Sequence, residues 1–237
     1  MDTERRRALR GAIARHDGNA VVAAVAELDL ARYLQFAGDG LVIAIRQHVD
    51  GARPVAERCA AMLRARSWDG DDELAIELEA ALGTSAPTTL NDLRVDLDEV
   101  ADIVDSSDYE GGAIELATGI VWTRTAIDHA DELDEDVPDF DDDQRWLLVP
   151  ADGPSEGYRD MRDFIATVDD PRIADRLLGA IEGKGAFRHF RDLVQRWEHV
   201  EDDWCRFTDE RRRGRARAWL ATAGFRPEPP DYSSRPA

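Results

Sequence analysis

The stretch "IEGKGAFRHF", residues 181–190, sets the chain's one lysine, Lys184, between Gly183 and Gly185, with Arg188, His189 and Arg191 close behind. A helix starting after Gly185 would leave its first backbone N–H groups without intrahelical partners, and such a terminus attracts phosphate or carboxylate. Gly183, Lys184, Gly185, Arg188, His189 and Arg191 are therefore the candidate anion-binding residues. The stretch is not a phosphate-binding P-loop, which spaces its glycines more widely, follows a strand and sets Ser or Thr after the lysine. The same residues also describe a plain helix–helix corner. Gly183 would end one helix in the left-handed conformation, Gly185 would open the next, and Phe187 and Phe190, one turn apart, would both point into a core.

A second basic group, "RRRGRAR" at 211–217, holds five arginines. On a helix they spread around the circumference as a collar. Such a collar could meet the phosphates of a nucleic acid or carboxylates of the protein itself. The charge pattern favours carboxylates. The net charge is −20, and residues 92–143 hold 19 acidic and 2 basic side chains, whereas residues 144–237 hold 17 of each. That central segment repels phosphate backbones and partly neutralises any arginine nearby, so nucleic acid is not expected as a partner. Its densest part, 128–143, reads as a solvated acidic loop and lacks the ligand order and central glycine of a calcium loop. No HExxH, paired CxxC or histidine cluster points to a metal, and no GxSxG points to a nucleophile. Cys59 and Cys205 read as buried small hydrophobes rather than a disulfide. His129 and His189 have no partner in the sequence pattern, and Asp105, Asp108 and Glu110 read as solvated helix-end groups. No catalytic residue, metal or cofactor is assigned.

These groups need elements to position them. A chain of 237 residues, 43% of them hydrophobic, is long enough for a sizeable core. No apolar run approaches the ~20 residues that span a bilayer. The N-terminal "MDTERRRALRGAIARHD" lacks the apolar stretch of a signal peptide, so a cytoplasmic location away from membranes is expected. Residues 3–82 read as about five short helices, with Asn19 capping the second, "AGDG" (37–40) as a turn, Pro54 in a first turn and Gly83 as a stop. "TSAPTTL", 84–90, reads as a linker. Then come "DLRVDLDEVADIVDSS" as a helix or a strand followed by a helix, "GGAIELATGIVWTRTA" as a β-hairpin, and "RWLLV" as a third strand. "DHADELDEDVPDFDDD" between them reads as a loop. Asp170 should cap a helix that has Pro171 at its first position. "RPEPPDYSSRPA" reads as a disordered tail.

The second half resembles an uncharacterised bacterial protein family of the "uncharacterised protein family" (UPF) series. The resemblance rests on "AIELATGIVW", on "DFIATVDDPRIADRLLGAIEGKGAFRHFRDLV" and on "WCRFTDERRRGRARAWL", and covers about residues 93–222. The "GAFRHF" stretch is its most specific part. Ala117-Thr118-Gly119 departs from the acidic turn that members often carry. The resemblance implies fold boundaries and brings no activity.

The expected fold is α+β. An all-helical N-terminal bundle (1–85) precedes a small three-stranded antiparallel sheet packed by about four helices (90–226), with a disordered tail at 227–237. The leading functional expectation is a non-catalytic binding or regulatory module acting through contacts with a protein partner, with room for a homo-oligomer. Two alternatives stand beside it: a small-anion or nucleotide site at 183–191, and an acidic nucleic-acid mimic that occupies a basic partner.

Overall fold

The computed structural model of the chain describes residues 2–106, 111–132, 142–151 and 154–230. The N-terminal part is α1 (Asp2–Ala14), α2 (Gly18–Ala26), a 3-10 turn (Leu30–Arg32), α3 (Leu34–Arg46), α4 (Ala52–Arg66) and α5 (Asp71–Ala81). The cap of α2 is Asp17, not Asn19; its carboxylate accepts from the Ala20 N–H at 3.0 Å. The expected turn at 37–40 is absent, because α3 runs straight through "AGDG". Tertiary contacts override the local turn chemistry there: Leu74 packs directly over Gly38, Val21 over Gly40, and Asp39 is buried.

The remainder contains β1 (Asn91–Arg94), α6 (Leu97–Val104), β2 (Gly112–Glu115), β3 (Val121–Thr123), α7 (Arg124–Glu132), β4 (Trp146–Val149), α8 (Pro154–Ile165), α9 (Pro171–Ala180), α10 (Ala186–Val194), α11 (Glu198–Thr222) and β5 (Phe225–Glu228). The antiparallel sheet has the order β3-β2-β4, with Ile114 opposite Val121 on one side and Leu147 on the other. This is the expected α+β arrangement, with two differences. Residues 124–132 are helical, where 124–126 were read with the hairpin and 128 onward as a loop, and most of the remaining acidic run lies outside the described residues. Pro227 and Glu228, read as the start of the tail, instead belong to β5, which pairs in parallel with β1; residues 231–237 lie outside the described residues. Proline is tolerated in β5 because the two-stranded pair has open edges, where a missing N–H costs little.

Three apolar clusters hold these elements. One is built from α1 to α5 and their connections, around Leu9, Val21, Leu41, Leu63, Leu74 and Leu78. A second joins β1, α6, the sheet and the end of α11 through Leu93, Val100, Ile114 and Leu220. A third joins α8, α9, α10 and the start of α11 through Phe164, Leu177 and Phe190. None of the three includes residues from both sides of the 83–92 connection.

The corner between α9 and α10 forms as the glycines suggest, with Gly183 at φ 86° and Gly185 at φ 89°. Asp170 caps α9, accepting from the Arg172 N–H at 2.8 Å. Phe190 is buried against Phe164 and Trp204, but Phe187 is 49% exposed and only its ring edge rests over Gly157 of α8. The reading of both rings as buried is thus corrected for Phe187. The apolar arc of α10 is wider than the stripe that its neighbours cover. Phe190→Ala is expected to cost about 3–5 kcal/mol and Phe187→Ala less than about 1 kcal/mol, measured by urea denaturation.

Candidate functional site

The main concentration of buried chemistry lies along α11. Its arginines do not form an exposed collar. Arg213, Arg215 and Arg217 are buried, Arg217 to 1% exposure. Helical spacing sorts them. Arg211 and Arg215, four apart, turn toward α8 and α6: Arg211 Nε donates to Asp160 at 2.9 Å, and Arg215 donates to Asp105 at 2.8 Å and to Asp160 at 2.9 Å. Arg212 pairs with Asp102 and Asp105. Glu210, Arg213, Gly214 and Arg217 share another face, which meets the N-terminal bundle. The collar therefore does pair with the acidic segment, as its charge balance suggested, and it also pairs with carboxylates beyond it.

On the bundle side the partners form a continuous chain. Arg10 and Arg213 share Asp98. Arg213 and Arg217 share Asp39, each at 2.5 Å. Arg217 Nε donates to Gln35 Oε1 at 2.9 Å, and Gln35 Nε2 donates to Asp71 at 2.9 Å. Asp71 accepts from Arg66 at 2.7 and 2.8 Å, and Arg66 donates to Glu210 at 2.9 Å. Glu210 also accepts the N–H groups of Gln35 and Phe36, at 2.8 and 3.2 Å, which lie at the open first turn of α3. Mutual pairing is what makes so many ions tolerable away from water.

The electrostatics follow from this packing. Burial pushes the Glu210 carboxyl up, against the pull of Arg66. Burial, with the Glu210 charge nearby, pushes the Cys59 thiol up to about 12. For Asp98, burial alone would raise the carboxyl, but Arg213 and Arg10 outweigh it and hold it below the ordinary carboxylate range. Cys205, by contrast with Cys59, is exposed, which corrects the reading of both as buried.

Two of the clefts along the same seam are walled by its arginines. One of about 480 Å³ lies between the α4–α5 connection, α9 and α11, lined by Arg32, Arg66, Trp68, His199, Arg206 and Phe207 among others. Trp68 there lies under Arg66 at 4.3 Å and meets the edge of Phe207 at 5.1 Å. The other, about 270 Å³, is walled by Phe36, Arg213, Leu97 and Pro227, Pro229 and Pro230. Neither is lined by Gly183, Lys184, Gly185, Arg188, His189 or Arg191. The structure brings those six together only as exposed groups around the α9–α10 corner. Asp105 is spent on Arg215 and Arg212, while Asp108 and Glu110 lie outside the described residues. His129 bonds the Thr125 carbonyl in its own helix. Among the described residues no group of three His, Cys, Asp or Glu side chains could hold a metal ion. No helix among them is long and apolar enough to cross a membrane.

The profile of an uncharacterised protein family, UPF0158, matches residues 85–229. The chain belongs to the UPF0158 family. The UPF0158 match is wider than the 93–222 read from motifs and takes in both partners of the parallel strand pair, β1 and β5. The protein named "UPF0158 protein PA5073", from Pseudomonas aeruginosa, is 26% identical over 138 residues, which are 57% of this chain and 86% of that protein. No solved structure matches the chain. The UPF0158 segment thus contains α11, and the carboxylates of Asp39 and Glu77 reach it from outside the matched residues.

Arg217→Met is expected to cost about 2–5 kcal/mol, because it removes one of the two guanidiniums on buried Asp39 and the donor to Gln35 Oε1. A depressed carboxyl stabilises the fold fully above its ordinary pKa of about 4 and loses that contribution as pH falls through the lowered value. The stability gap between wild type and Asp98→Asn should therefore be open at neutral pH and narrow on acidification from about pH 5 to pH 2. Urea titrations across that range measure it.

Proposed function

We propose that this chain is a non-catalytic, cytoplasmic binding module that works through contacts with a protein partner. The observation that carries this reading is Phe187, half-exposed at the head of α10 beside the exposed cations Lys184, Arg188 and Arg191. Phe187 and Arg191 lie four residues apart on one helical face. Aromatic rings and arginines are both enriched at protein interfaces relative to the rest of the surface. The surrounding positive charge suits an acidic partner surface and would speed its encounter. The ring gives apolar contact area that water otherwise covers at a cost of about 25 cal/mol per Å².

The test is capture from the native cell with wild type and Phe187→Ala as paired baits. A partner held by wild type and lost with Phe187→Ala, at unchanged melting temperature, supports the reading. Identical captures, or none, count against it. The amide end of α10 has no side-chain cap, which favours a second reading in which a small anion sits at the same corner. A thermal shift with inorganic phosphate in wild type, absent in Lys184→Ala, would select that second reading.

A further inference from the structure

The N-terminal bundle and the UPF0158 segment meet in an unusual way for parts of one compact body. Their apolar clusters stay apart at residues 83–92, and buried ion pairs cross between them. Arg213 and Arg217 reach Asp39, Arg217 faces Glu77, and Arg66 reaches back to Glu210. Arg6–Asp209 and Arg32–Asp203 extend the pairing along α11. Trp68 and Phe207 add one aromatic contact across the same seam. Interfaces between units of one chain are more polar than cores and resemble docked surfaces.

Two further observations sharpen this. A close backbone approach joins Asp69-Gly70 and Gly214, where a Cβ on Gly214 would overlap the Asp69 carbonyl and one on Gly70 would overlap the Gly214 carbonyl. Gly214 sits in the middle of a long helix, where glycine is worth about 1 kcal/mol less than alanine, so the close approach accounts for it. The polar satisfaction of the seam is also incomplete: Arg213 Nε and Arg217 Nη1 are buried with no hydrogen-bond partner. A paired but imperfectly satisfied ionic surface contributes little net stability, unlike the apolar cores on either side of it. Local opening begins where stability is lowest.

The relatedness of the two parts differs as well. The family match starts at residue 85, after the bundle. The Pseudomonas aeruginosa relative is matched over 86% of its length by 57% of this chain.

We infer that the arginine face of α11 is a docking surface for an acidic helical protein unit, and that residues 2–82 are the unit that occupies it within this chain. The surface is closed while the bundle is seated. When the seam opens, Arg213 and Arg217 become available to an acidic helical partner in trans. The inference deepens the reading of the chain as a protein-binding module but uses a different surface from Phe187.

The experiment inserts a specific protease site into the exposed 84–90 linker of the full chain and cuts it after folding. The two pieces should co-elute in low salt. In about 1 M NaCl their association should weaken at least about tenfold, because ionic contacts at an opening seam are screened. Each separated piece should keep its helical circular dichroism. In the uncut chain, Gly214→Leu should wedge the seam apart and produce binding to poly-L-glutamate that wild type lacks. Pieces that cannot be parted without unfolding, or that unfold once parted, would overturn the inference, since the seam would then be ordinary core. So would a folded Gly214→Leu that ignores polyglutamate. If that variant does not fold, the cut wild-type chain still decides the question. Phe187→Ala must leave the two pieces bound, which separates failure here from failure of the Phe187 surface.

Discussion

Asp39 is the group on which the arrangement of this protein turns. It is one carboxylate, 6% exposed, in the middle of α3, and two guanidiniums from α11 close on it. Alone it would be an expensive buried charge. With Arg213 and Arg217 it becomes the midpoint of a polar chain, ionic except at the Gln35 amide, that runs from Arg10 to Glu210. The chain imposes order through its exacting geometry. Each guanidinium must present its fork to a particular carboxylate, so α11 has one rotation and one register against α3 and α5.

Much of the fold was legible from local rules. The Asp170–Pro171 start of α9, the glycine corner at 183–185 and the hairpin around Gly119 each depend on chemistry within a few residues, and each forms. What could not be read depended on distant partners. "AGDG" has the composition of a turn, and it becomes helix only because Leu74 fills the space over Gly38 and because two arginines some 175 residues away neutralise Asp39. The parallel pairing of β1 with β5 joins segments more than a hundred residues apart and gives no hairpin signal.

The candidate surfaces were legible to different degrees. The i,i+4 spacings 211/215 and 213/217 were present in the sequence and could have shown two arginine faces rather than a collar. Which face meets which carboxylates depends on packing. For α10, periodicity marked both Phe187 and Phe190 as apolar, but the number of neighbours that reach the helix decides which ring stays outside. The exposed residue was thus the one that sequence periodicity assigned to the core.

The ionic seam also sets the reactivity of the two thiols. Cys59 lies inside the bundle beside the Glu210 end of the charge chain, and its proton is held so firmly that almost no thiolate exists at neutral pH. Cys205, exposed on α11, is raised as well, by partial burial and by Asp209 and Glu201, but a reagent can reach it. Of the two cysteines, the folded chain therefore offers a thiol-directed reagent Cys205 on α11 and withholds Cys59. Thiol chemistry would register on α11 long before it touched the core, and the buried thiol would become available only to a chain whose bundle had opened.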